Sequence, residues 1–317
     1  MKTVYIITML ITALLMLTLP LCAKNNIDRL PVSALPTENV QAVDTDETVK
    51  VKLTDSNEVI NISLKDYLFG VVAAEMPALY EKEALKAQAV VAYTYYILKK
   101  DSNSGSDYDI SDDFTTDQSF ITVEKAREKW GDGADEFENK IRSAIDEVFG
   151  KRVLYSGKPA YTVYHAISFG VTENAVDVWG NEYPYLVSVD SSFDKLEKNY
   201  LSKNTFTAEE LKNAMSPFVS ITNTTENQIT DIVRTNAGGV KSANISGVSV
   251  SGQDIRKALS LRSSNFEVSF ADGVYTFDVK GYGHSVGMSQ YGAHYLAMQG
   301  KNYKEILEHY YTGCTVE

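Results

Sequence analysis

The 317-residue chain has only two cysteines, Cys22 and Cys314, at opposite ends. That scarcity excludes a disulfide framework beyond residue 24 and a structural zinc site built on paired cysteines. Cations are also outnumbered: 30 Lys and Arg face 42 Asp and Glu, a net charge of -12. A nucleic-acid partner, which needs concentrated basic charge, is therefore not expected. There is no internal repeat and no strand–helix alternation of the parallel-sheet kind. Several enzyme signatures are missing as well. The glycine-rich GYGHSVG at 281–287 lacks the dinucleotide-binding spacing, and no phosphate-loop lysine accompanies it. His284 and His294 are too far apart for the helical pair of a zinc protease, and no G-x-S-x-G supports serine hydrolysis. No cofactor is expected.

What the chain does contain begins at the N-terminus, where Val4 to Ala23 runs without a charge between Lys2 and Lys24. About 20 apolar residues suffice for one membrane-crossing helix. Residues 1–24 are therefore expected to be an uncleaved anchor, with a lipoprotein signal at Cys22 as the competing reading. Either places the remainder outside the cytoplasm. Residues 25–48, polar and interrupted by Pro31 and Pro36, read as a tether.

From 49 to 317 one α+β domain is expected, with a helical N-terminal part packed against a strand-rich part. VKVKLTD and EVINISL read as a hairpin. Ser63 and Asp66 mark a helix from Leu64 that ends before Pro77, and a second helix should span about 81–100. Residues 101–117 read as a surface loop. A helical insertion is expected at about 118–150. Strands, including AYTVYHAIS and PYLVSVD, should fill about 151–280, with short helices starting at Thr207 and Gly252. Helices at 288–313 close the chain, each followed by a glycine suited to a left-handed end.

Four groups of residues could carry chemistry. Glu75 shares the stripe of Tyr67, Leu68, Val71 and Val72; partial desolvation there would raise its pKa as a general acid requires, unless it turns to solvent at the helix end. Gln88 occupies a core-facing position and needs a partner: Glu75, a sugar hydroxyl or a backbone carbonyl. His165 and Ser168 lead a polar loop, although a histidine among aromatics is often only a satisfied buried one. Gly281, Gly283, Gly287 and Gly292 surround His284, Ser285, Gln290 and Tyr291, a donor-rich turn suited to sugar hydroxyls.

VVAAEMP, EALKAQAVVAYTY, YHAISFGVTENAVDVWG, PYLVSV, GGVKSANISG, DIRKALSLRSSNF and GYGHSVGMSQYGAHYLAMQG occur in the order seen in one family. Together they resemble the stage II sporulation protein D family, which includes amidase-enhancer proteins. The resemblance implies a lytic transglycosylase that cuts peptide-stripped peptidoglycan strands during engulfment of the forespore. Partners would be glycan strands, a cell-wall amidase and membrane proteins of the engulfment complex. Glu75 maps to the family's catalytic glutamate. Gln88, Tyr93, His165, Ser168, His284, Ser285, Gln290 and Tyr291 are expected to line the glycan groove. A non-catalytic amidase activator or wall-binding module of the same family is the alternative. Two positions depart from the family pattern. Tyr93 stands where relatives have an arginine, which removes a charge that could neighbour Glu75, and Phe169 replaces a loop glycine. Some relatives bind zinc near His165 through cysteines, which this chain lacks there, so no metal is expected.

Overall fold

The computed structural model describes residues 47–317. The expected anchor and most of the tether lie outside the described residues. Among those described, no helix is long and apolar enough to cross a membrane.

The architecture is α+β. The hairpin β1 (Thr48–Lys52) and β2 (Val59–Ser63) leads directly into α1 (Leu64–Glu75). The Ser63 hydroxyl accepts the Asp66 N–H at 3.1 Å and so starts the helix. α2 (Lys82–Ser102) follows, then the two-residue β3 (Ile110–Ser111), α3 (Val123–Trp130) and α4 (Ala134–Val148). Tyr67, Leu68, Phe69, Val71, Val72 and Ala73 of α1 are all buried. A helix apolar on every side is a core helix rather than a one-faced surface helix. Each large side chain buried there contributes roughly 1.5–3 kcal/mol.

A single core joins α1, α2 and α4 to the C-terminal helices α8 (Gln290–Met298) and α9 (Tyr303–Tyr310). Between them lie β4 (Val153–Tyr155), β5 (Lys158–Pro159), β6 (Tyr164–His165) and the short α5 (Ala175–Trp179). β6 pairs in parallel with β13 (Met288–Ser289), Tyr164 opposite Met288 and His165 opposite Ser289. AYTVYHAIS, expected to be a full strand, is extended and paired in this sheet only at these two residues. PYLVSVD forms no strand beyond a single bridge from Asp190 to Val171. The core cluster takes up Tyr183, Tyr185 and Leu186 there, so tertiary packing overrides β-propensity.

A second core is inserted between Tyr200 and Gly281. It contains β7 (Leu201–Thr207), α6 (Ala208–Met215), β8 (Ile229–Arg234), β9 (Val240–Ile245), β10 (Val248–Ser251), α7 (Gly252–Ala258), β11 (Phe266–Ala271) and β12 (Val274–Lys280). Leu201 pairs with Lys280, so the insertion leaves the main body where it entered. Thr207 caps α6 in a capping box, as its position predicts, whereas α7 is capped by Ser251 and not by Gly252. Gly300 and Gly313 take left-handed conformations after the last two long helices, with φ of 86° and 73°.

Candidate active site

Glu75 is the last residue of α1, and the chain turns back over it between α2 and α3. Gly70 makes that crossing possible. A Cβ at Gly70 would lie 2.3 Å from the Phe120 ring and 2.4 Å from the Ile121 carbonyl oxygen. The Gly70 carbonyl accepts the Ile121 N–H at 3.3 Å, and the Ser119 N–H donates to Glu75 Oε1 at 2.9 Å. Gly70→Ala is therefore expected to push residues 119–121 off the helix. The variant should melt several degrees lower and lose activity, as thermal unfolding beside an activity assay will show; an unchanged melting temperature would contradict the close approach.

Burial raises the pKa of Glu75 above the usual carboxylate range, while hydrogen bonds from the Ser119 hydroxyl and N–H, the Tyr164 hydroxyl and the Gln290 amide pull it back. All of these partners are neutral. Gln290 Nε2 also donates to Gln88 Oε1 at 3.3 Å, so Gln290 links the acid to Gln88. None of the three partners considered for Gln88 takes its amide oxygen. Its Nε2 is buried without a hydrogen-bond partner.

Tyr164 and His165 are neighbours on β6 and point to opposite faces, as successive strand residues must. Tyr164 faces the acid. His165 faces away: its Nδ1–H donates to the Val286 carbonyl at 3.0 Å, its Nε2 is buried without a partner, and burial pushes its pKa down to about 4. His284 lies 5.7 Å from it, ring centre to ring centre. His284 Nδ1 accepts the Val286 N–H at 3.0 Å, a second bond goes to the Tyr164 backbone, and burial followed by the neighbouring His165 keeps its pKa well below normal. Gly283, at φ 116°, permits the close pass, since a Cβ there would lie 2.6 Å from His165 Cβ. The two histidines thus form a neutral pair.

Three further expectations change. Tyr93 stacks on Tyr96 at 6.5 Å and has Arg152 and Glu47 as charged neighbours, so the expected pairing with Glu75 is not formed; its helical position turns it to another side of α2. Ser168 is fully buried, its N–H donating to Asp194 Oδ2 at 2.7 Å and its Oγ accepting the Gly170 N–H at 3.1 Å. Ser285 is also fully buried, at φ 64°, with its hydroxyl on the Val171 carbonyl at 3.4 Å. Both serines hold loops and line no groove. Tyr291 is half-buried, set edge-on to Tyr80 and His294. Among the described residues no group of three or more His, Cys, Asp or Glu could hold a metal.

The residues that sequence reasoning missed are Ser119, Gln118, Tyr164 and Asp194. Tyr164 was legible through strand alternation from His165. Gln118 and Ser119 carried no signal, because they follow what reads as a surface loop; in fact Asp117 is buried and pairs with Lys99 at 2.7 Å.

Residues 52–155 match the family described as stage II sporulation protein. The stage II sporulation protein D of Bacillus amyloliquefaciens is 38% identical over 272 residues, covering 85% of this chain and 78% of that protein. The chain belongs to the stage II sporulation protein D family. The Bacillus subtilis (strain 168) stage II sporulation protein D is 35% identical over the same shares of the two chains. An amidase enhancer of Bacillus subtilis (strain 168) is similar at 28% over 300 residues, 40% of its own length. Membership makes this a sporulation protein. Burial raises the pKa of three acids, Glu75, Glu173 and Asp194, and of these only Glu75 keeps partial exposure.

Proposed function

We propose that the protein is a lytic transglycosylase that cleaves the N-acetylmuramic acid–N-acetylglucosamine bonds of peptide-stripped peptidoglycan during engulfment. In this reading residues 1–24 anchor it in the membrane, and the catalytic domain faces the space between the mother-cell and forespore membranes. The observation that carries the reading is a carboxyl raised in pKa by burial, held only by neutral donors and, unlike the fully buried Glu173 and Asp194, still partly exposed to a substrate. Hydrolysis by water requires a second carboxylate to activate the water or take up the sugar. An internal nucleophile removes that need. Glu75 gives its proton to the glycosidic oxygen as the bond to the muramic anomeric carbon breaks. The 6-hydroxyl of the same muramic residue then bonds to that carbon, and its proton returns to Glu75. The product ends in an anhydro-sugar and the carboxyl is restored.

The protonated form of Glu75 starts the reaction, so activity falls as pH rises through its pKa. Because burial raises that pKa, the falling limb of kcat/KM should lie above the ordinary carboxylate range. A rate that is flat or rising from pH 5 to 8 would remove Glu75 as the acid.

The likeness to an amidase enhancer favours a second reading, activation of a cell-wall amidase without cleavage. Incubation of the protein with peptide-free strands alone, and with a wall amidase on intact peptidoglycan, separates the two. New glycan ends in the first incubation support the lyase. A faster amidase with no new ends supports the activator.

A further inference from the structure

Glu75 changes protonation twice in each turnover of the proposed reaction, and one hydroxyl is placed to answer both states. The Tyr164 phenol donates to Gln118 Oε1 at 3.2 Å and stands beside the Glu75 carboxyl, the second acceptor within its reach. Gln118 is 2% exposed and pinned, since its Nε2 donates to the Tyr67 hydroxyl at 3.0 Å and to the Ala92 carbonyl at 3.3 Å. Its oxygen therefore stays turned to Tyr164. A phenol has one hydrogen and also accepts. When Glu75 is protonated, the carboxyl donates to the phenol oxygen and the phenol donates to Gln118. When Glu75 is ionised, the phenol hydrogen serves the carboxylate.

The surrounding charges do not compete for this role. Asp117 is paired with Lys99 at 2.7 Å, and Lys129 Nζ donates to the Ala73 carbonyl at 3.2 Å. Burial keeps Tyr67, Tyr95 and Tyr164 neutral by raising their pKa, and keeps His284, which bonds the Tyr164 backbone, neutral by lowering its own.

We propose that Tyr164 is a positioning residue whose hydroxyl hydrogen turns between Gln118 and Glu75 as the carboxyl gives up and regains its proton. This rests on Glu75 being the acid and base of the reaction above. The hydrogen never leaves the phenol oxygen. The transferred proton passes from Glu75 to the glycosidic oxygen and returns from the 6-hydroxyl, so the balance is unchanged.

The test reads Glu75 directly. In the full chain labelled with carbon-13 at the glutamate carboxyls, the Glu75 resonance is identified by its loss in Glu75→Gln and titrated in wild type, Tyr164→Phe and Gln118→Leu. Tyr164→Phe removes the donor to the carboxylate, so Glu75 should titrate about one pH unit higher, tenfold in the proton equilibrium. Gln118→Leu removes the phenol's other acceptor, so its hydrogen stays on Glu75 and the carboxyl should titrate lower. With peptide-free strands, Tyr164→Phe should lower kcat and leave KM unchanged. Shifts of the same sign in both variants, or no shift in Tyr164→Phe, overturn the proposal. If Gln118→Leu does not fold, Tyr164→Phe decides alone. A wild type that yields no anhydro ends would sink the lyase reading and leave the titration result standing.

Discussion

Glu75→Gln is expected to cut the rate of glycan cleavage by about 10³-fold, the middle of the range for a positioned acid or base, since the one carboxyl serves the proton transfers. Glutamine keeps the size and the acceptor oxygen for the Ser119 N–H, which now lies at 2.9 Å from Oε1, so the site should keep its shape. The substitution should also stabilise the protein at neutral pH. Burial raises the folded pKa of Glu75, so the folded state binds the proton more tightly than the unfolded one. The stability this confers is fully present below the unfolded pKa and is lost as pH rises through the folded pKa. Above that point the wild type carries a buried charge that glutamine lacks. Melting curves should therefore favour Glu75→Gln at pH 8 and converge below pH 4. A variant that is active, or less stable at pH 8, would contradict this account of the site.

The second large effect is expected at Lys99. Its side chain is 9% exposed and its partner Asp117 is 5% exposed. Asp117 also accepts the Ser111 N–H at 3.0 Å and the Ser111 hydroxyl at 2.6 Å, so it ties β3 to α2 immediately before Gln118 and Ser119. Lys99→Met leaves the carboxylate buried with its charge uncompensated, a change that typically costs about 3–5 kcal/mol. The two remaining Ser111 bonds place the expected loss near the lower end, about 3 kcal/mol, measured by urea unfolding. A loss below about 1 kcal/mol would show that the pair does not hold this segment. Activity should fall as well, because the Ser119 N–H is delivered to Glu75 by the residues that follow Asp117.

Local signals carried much of the fold. Ser63 with Asp66, Pro77 after Glu75, Thr207 and the glycines at 300 and 313 each mark a terminus that the chain uses, because caps and breakers act over one turn. The central region was harder to read. Tyr161 to Ser168 and Tyr185 to Asp190 are rich in β-formers, but Val163, Tyr185 and Leu186, with Tyr161, Tyr164 and Val189 against them, go into the core shared with α2 and α9 instead of building ladders. For the site, the helix wheel left Glu75 undecided between catalyst and solvent-facing end. What turns its carboxyl inward is long-range: Ser119, Tyr164 and Gln290 reach it from three other parts of the chain. Gln88 could be singled out as a polar residue at a core position and Gln290 as part of a donor-rich turn, yet their contact spans 202 residues and has no local signature. Ser168, in a polar loop, and Ser285, in a glycine-rich turn, read as ligand groups because exposed loop hydroxyls suit sugars. The structure spends them on Asp194, Gly170 and Val171 instead.

The most direct test of the central claim is mass spectrometry of the sugar ends released from peptide-free glycan strands by the full chain. One buried carboxyl working with an internal nucleophile predicts muramic ends lighter by one water than a reducing end, formed by the wild type and absent with Glu75→Gln. Hydrated reducing ends from the wild type, or equal amounts of anhydro ends from both proteins, would contradict it.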